Sequence, residues 1–144
     1  MNHSIHNIIR TIFCSAALAT CGLASAADLT IHVDDVKSAA GNLMVAVYNA
    51  EGTFLKAAPA GVGGAPAAVG SNVVVIKNLP AGEYAFAVYH DANGNGKMDK
   101  NMIGIPTEDY GFSNNAMGKM GPPSYDAAKF ALAEAGGTVR VSLK

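Results

Sequence analysis

The chain has 144 residues, of which 50% are hydrophobic and 15% charged, with a net charge of −1. That length suits one domain with a buried core, and the near-neutral charge gives no electrostatic footprint for nucleic acid or an anionic membrane. The only cysteines, Cys14 and Cys21, sit near the start, so no disulfide scaffold or thiolate metal site is expected in the body of the chain.

Residues 1–26 read as a secretory signal peptide. Arg10, with His3 and His6, gives a weakly basic start, an apolar run follows from Ile12 to Leu23, and Ala24-Ser25-Ala26 supplies a small-x-small cleavage pattern. The run is shorter than the ~20 apolar residues of a membrane span. Cleavage after Ala26 would place residues 27–144 in the periplasm or outside the cell, with no membrane span. Leu18-Ala19-Thr20-Cys21 faintly resembles a lipoprotein box, with Thr a poor fit before the cysteine. Lipidation at Cys21 therefore stays open.

Short alternating runs dominate the rest. Leu29, Ile31 and Val33 alternate with Thr30, His32 and Asp34, as in a strand with one wet face. Asn42 to Asn49 reads as a more buried strand, apolar on both faces. Residues 51–71, rich in Gly, Ala and Pro, read as a long irregular connection with Phe54 and Leu55 as anchors and a weak strand near Ala67–Val69. Asn72 to Leu79 is a run of branched residues suited to a strand. Pro80-Ala81-Gly82 makes a turn, and Glu83 to His90 follows with Tyr84, Phe86 and Val88 on one face. The segment 72–90 thus reads as a hairpin.

Residues 91–123 read as one long loop, a length that in a compact domain usually signals function. Ser124 is placed to cap a helical turn through Asp126-Ala127-Ala128. Phe130 and Leu132 then form a short strand, 134–137 a turn, and Thr138 to Lys144 a last strand with Val139, Val141 and Leu143 inward. About seven short strands without helical periodicity indicate an all-β, single antiparallel β-sandwich.

The start of the long loop carries the sharpest chemistry. In Asp91-Ala92-Asn93-Gly94-Asn95-Gly96-Lys97-Met98-Asp99, side-chain oxygens recur at alternate positions, with Gly96 where a tight loop must turn. This is the oxygen-rich, bent array that calcium takes. Asp91, Asn93, Asn95, the Lys97 carbonyl and Asp99 match the first five ligand positions of an EF-hand loop, but Met102 stands where a bidentate Glu is needed. A thioether cannot replace a carboxylate on a hard ion. Glu108 or Asp109, in the same loop, are the expected replacements. Weak binding, with Kd of ~10⁻⁴–10⁻³ M, would suffice in a calcium-rich extracellular setting. The competing reading is a metal-free network in which Asp and Asn side chains bond the backbone of their own turns.

Several motifs in order carry a family resemblance: Leu79-Pro80-Ala81-Gly82-Glu83-Tyr84-Ala85, the 90–99 stretch, Gly104-Ile105-Pro106-Thr107-Glu108, Tyr110-Gly111-Phe112-Ser113-Asn114-Asn115 and Gly121-Pro122-Pro123-Ser124. Together they resemble a bacterial family of small exported proteins known only as a domain of unknown function, serial number 2141. The resemblance implies an immunoglobulin-like or prealbumin-like β-sandwich, exported, with no established activity.

For 104–125, Tyr110, Phe112, Asn114, Asn115 and Tyr125 form a candidate ligand-binding lip, since aromatics with Asn and Gly suit recognition loops. The plainer reading is that the aromatics pack down and the amides satisfy backbone groups. No catalytic constellation assembles. His32 and His90 lack a serine in a G-x-S-x-G elbow, and no phosphate-cradling motif occurs. The expected protein is a monomeric, non-enzymatic envelope module with a calcium-stabilised loop and an envelope protein or glycan as partner. The alternative is a small periplasmic hydrolase or carbohydrate-active enzyme using Glu108 and Asp109.

Overall fold

The computed structural model describes residues 26–144, so residues 1–25 of the expected signal segment, with both cysteines, lie outside the described residues, and Ala26 begins the first strand. Among the described residues, eight strands form two sheets packed face to face. The first holds β4 (Gly70–Pro80), β1 (Ala26–Val36) and β8 (Gly137–Ser142) in that order. The second runs β3 (Gly61–Pro66), β2 (Asn42–Tyr48), β5 (Gly82–Asp91) and β6 (Tyr110–Phe112), with β7 (Phe130–Leu132) also pairing β5. Pairing is antiparallel except between β1 and β8, which run parallel. The all-β sandwich expected from the alternating runs is therefore present, with eight strands.

The core follows from strand periodicity. Leu29, Ile31 and Val33 of β1 and Val74 and Ile76 of β4 face Leu43, Val45 and Val47 of β2 and Phe86 and Val88 of β5. The five-stranded sheet is also covered on its other face, where Tyr48, Phe54, Ala85, Phe112, Tyr125 and Ala128 form a second cluster. Phe54 is its hub, making edge-on contacts with Tyr48, Phe112 and Tyr125 at ring-centre distances of 5.5, 6.4 and 5.8 Å. Such pairs add about 0.5–1.5 kcal/mol beyond burial. This second cluster explains why β2 reads as apolar on both faces.

Two expectations are corrected. The hairpin over 72–90 does not form, because β4 pairs with β1 while β5 pairs with β2. The Pro80–Gly82 turn is a corner between sheets, bridged where the Tyr84 hydroxyl donates to the Pro80 carbonyl at 2.8 Å. Alternation fixes which face of a strand is buried, and both strands send that face into one core from opposite sides. The irregular connection expected over 51–71 contains β3 at Gly61–Pro66, not a strand at Ala67–Val69. Its glycines hide it from β propensity and are needed by its packing. A Cβ on Gly63 would lie 2.4 Å from Ile76 Cδ1, and one on Gly64 2.8 Å from the Leu43 carbonyl oxygen.

On the outer face of the small sheet, Arg140 Nη1 donates to both carboxylate oxygens of Asp34 at 2.9 and 2.7 Å. A hydrogen bond from the Ser71 hydroxyl, then the Arg140 guanidinium, holds the Asp34 carboxyl below its ordinary value of 3.8. A depressed carboxylate stabilises the fold above the unfolded value and ceases to do so as pH falls through the folded one. Asp34→Asn should therefore lower the melting temperature slightly at pH 7 and make no difference well below pH 3.8. Equal offsets at both pH values would show that this carboxylate contributes nothing through its charge.

Candidate functional site

The 91–109 segment is an ordered arm. β5 delivers Asp91 to the edge of the five-stranded sheet, where it is buried at 2% exposure. Its Oδ1 accepts from the Asn95 amide at 3.0 Å and its Oδ2 from the Gly96 amide at 2.8 Å. Gly94 and Gly96, with φ of +71° and +74°, let the chain curl around the carboxylate. Asn93 Nδ2 donates to Asp99 Oδ2 at 2.6 Å and Asn95 Nδ2 to Asp99 Oδ1 at 2.9 Å. The side-chain oxygens of both asparagines close local turns, Asn93 on the Asn95 amide and Asn95 on the Lys97 amide.

Glu108 closes the loop from outside. Its Oε1 accepts from the Ala92 amide at 3.2 Å and its Oε2 from the Asp99 amide at 3.0 Å, so one carboxylate ties the loop's entry to its exit. The Thr107 amide adds a bond to the Asp99 carbonyl at 2.9 Å. Asp109 goes elsewhere: its carboxylate meets Lys37 Nζ at 3.0 Å and its carbonyl accepts the His90 amide. Of the two acids expected to complete the set, Glu108 is the one brought to the loop. Met102 is fully exposed, on a small hairpin whose arms meet at Lys100 and Pro106 and whose turn is held by Asn101 Oδ1, which accepts from the Ile103 and Ile105 amides.

The oxygen chemistry of Asp91, Asn93, Asn95, Asp99 and Glu108 suits a hard cation. As folded, every oxygen of the three carboxylates already takes an N–H, and both asparagines point amide nitrogen at Asp99. Among the described residues no group of three or more His, Cys, Asp or Glu side chains is arranged to hold a metal. Ligation would require the Asn93 and Asn95 amides to turn and present oxygen. The acidic charge is felt nearby: burial, then the Asp91 and Glu108 carboxylates, push the Tyr89 phenol up.

Contacts that sequence reasoning missed brace this loop. His90, buried, donates Nε2–H to the Ala40 carbonyl at 2.7 Å. Gly41, at φ +68°, lies so close that a Cβ there would be 1.9 Å from the Asp91 carbonyl oxygen. The residues expected in a recognition lip mostly serve packing. Phe112 and Tyr125 are buried in the second cluster, and the Tyr125 hydroxyl donates to the Glu83 carbonyl. Asn114 Nδ2 donates to the Lys129 carbonyl at 2.8 Å, while Asn115 Oδ1 accepts from the Ser142 amide at 2.8 Å. Ser124 caps the turn of α1 (Tyr125–Ala128) through the Ala127 amide.

Between the arm and the outer face of the five-stranded sheet lies a cleft of about 590 Å³. Its floor is built by Ala46, Ala87, Tyr89 and Phe112, and its walls include Met98, Lys100, Pro106 and Pro122.

The family described as "Uncharacterized protein conserved in bacteria (DUF2141)" matches residues 31–140. The chain belongs to that family. Its match spans the sandwich from β1 to β8 and takes in the whole 91–109 arm of this DUF2141 protein. Comparison with curated proteins and with solved structures gives no match. No helix among the described residues is long and apolar enough to cross a membrane.

Proposed function

We propose that this protein is an exported, non-catalytic β-sandwich with a binding or structural role in the cell envelope, acting through an arm over 91–109 that calcium stabilises. The signal-like residues 1–26 support export. The observation that carries the calcium reading is Glu108, which reaches back to both ends of the Asp91–Asp99 loop. It supplies the third carboxylate that Met102 cannot. Asp91, Asp99 and Glu108, with the Asn93 and Asn95 amide oxygens and the Lys97 carbonyl, would hold the ion. Calcium would hold the arm in place over the sheet; it supplies no chemistry to a reaction.

The test is the melting temperature of the purified protein in EDTA and in millimolar calcium. A ligand that binds only the folded state adds about 0.4–1.4 kcal/mol at one to ten times its Kd, the range that about 1 mM calcium reaches for a site this weak, so a shift of a few degrees is expected. Glu108→Gln should remove most of that shift. An unchanged melting temperature across the titration ends the calcium reading. If Glu108→Gln instead abolished turnover of a glycan or ester while leaving stability intact, the protein would be a hydrolase.

A further inference from the structure

The cleft beneath the arm is shaped like a site. Ala46 and Ala87 stand directly opposite each other on β2 and β5, and their small side chains hollow the floor. Met44 pairs with Tyr89 on the same face and, with Met98, gives the lining two flexible thioethers that adapt to an irregular apolar guest. The volume of about 590 Å³ lies within the range of roughly 300–1,000 Å³ seen for small-molecule pockets. Among the described residues, Lys100 is the one charged residue that lines the cleft, and it forms no ion pair.

The tyrosines sort the same way. Tyr84 and Tyr125 spend their hydroxyls on backbone carbonyls. Tyr48, Tyr89 and Tyr110 instead line the cleft. An apolar chamber with a few convergent polar groups is the usual form of a small-molecule site. Beside it, Met102, Ile103 and Ile105 stand exposed on the hairpin whose Gly104 and Pro106 form the wall. Exposed apolar side chains clustered at the mouth of an apolar cleft extend the surface a guest can cover.

We propose that this cleft binds an amphipathic carboxylate, a single anionic head on an apolar body the size of a long-chain fatty acid. The head pairs with Lys100 and the phenols, and the body lies on the Ala46–Ala87 floor. This reading deepens the binding role proposed above by naming the ligand class, and it does not require calcium.

The probe is cis-parinaric acid, whose fluorescence rises in apolar surroundings, titrated into the purified protein alongside its uncharged methyl ester. The acid should bind saturably and the ester about fivefold more weakly, the upper range of one solvent-facing ion pair. Lys100→Glu should weaken the acid by at least that factor and leave the ester unchanged. Lys100 is exposed, so folding is not at stake. Ala87→Phe should block both probes while melting as a folded protein. Absence of saturable binding, equal binding of acid and ester with no effect of Lys100→Glu, or undiminished binding in a folded Ala87→Phe variant would each overturn the proposal. All arms are run in EDTA and in millimolar calcium. Saturable binding without any calcium-dependent melting shift fells the calcium reading and leaves this one standing.

Discussion

Gly41→Ala is expected to cost about 3 kcal/mol or more, from left-handed strain plus overpacking. Gly41 adopts φ +68°, where an alanine carries a penalty of about 1 kcal/mol. The larger part is steric. The new Cβ would stand 1.9 Å from the Asp91 carbonyl oxygen and 2.8 Å from the Ala92 Cα. Those atoms are backbone, so no rotamer change relieves the contact. Either β2 moves away from β5 at their shared end, where Asn42 pairs with Asp91, or the entry of the acidic loop shifts. Both routes disturb the Ala67 amide, which donates to the Gly41 carbonyl at 3.1 Å. For a domain of this size the loss should lower the melting temperature by about 10 °C. Gly94→Ala is the control. Gly94 has a similar φ of +71° but nothing within 4 Å of a new Cβ, so it isolates the dihedral cost. If the two variants melt within a degree or two of each other, the close approach of Gly41 to Asp91 is not a constraint on the fold.

That contact also marks what a sequence can disclose. Gly41 and Asp91 are far apart in the chain, and Gly41 looks like any turn glycine. The same holds for Lys37, which takes Asp109 away from the loop, and for the Ala40 carbonyl, which holds His90. Such partners are set by the pairing of β2 with β5, and strand alternation is silent about pairing. It put Tyr84, Phe86 and Val88 on one face, which is the buried one, but assigned β5 to β4. The oxygen spacing of 91–99 was legible because all of its groups are local. Even Glu108 was legible as a nearby acid in want of a role. The cleft was not, since its depth comes from Ala46 and Ala87, residues whose meaning lies in what they leave unfilled. The packing of the 110–125 aromatics was legible as the plainer of two readings, but their partner was not, because the segment 51–57 that brings Phe54 onto them carries no strand pattern.

Asp91→Ala should be the most damaging change within the arm, at about 3 kcal/mol, because it removes two hydrogen bonds to a charged acceptor, each worth roughly 1.5–3 kcal/mol. The Asn95 amide keeps its second acceptor, Asn93 Oδ1, and both amides lie on exposed residues, so water and Asn93 repay part of the loss. The damage should stay local. Asp91 ends β5, and the core residues Phe86 and Val88 do not touch the loop's hydrogen bonds. Hydrogen exchange should therefore show amides of 92–99 and 107–108 opening by several-fold more than those of β1, β2 and β8. Asp91→Asn keeps one acceptor and the side chain's shape, so it should recover about half the stability at neutral pH. The pair of variants also separates the two uses of the loop. If the Asp and Asn side chains only close turns, Asp91→Asn should be mild both in EDTA and in calcium. If they hold a cation, the same variant should be mild in EDTA yet forfeit most of the calcium-dependent rise in melting temperature, since a neutral amide cannot replace a carboxylate's charge on a divalent ion. An Asp91→Ala protein that melts like the wild type under both conditions would contradict the buried, doubly bonded carboxylate on which either use depends.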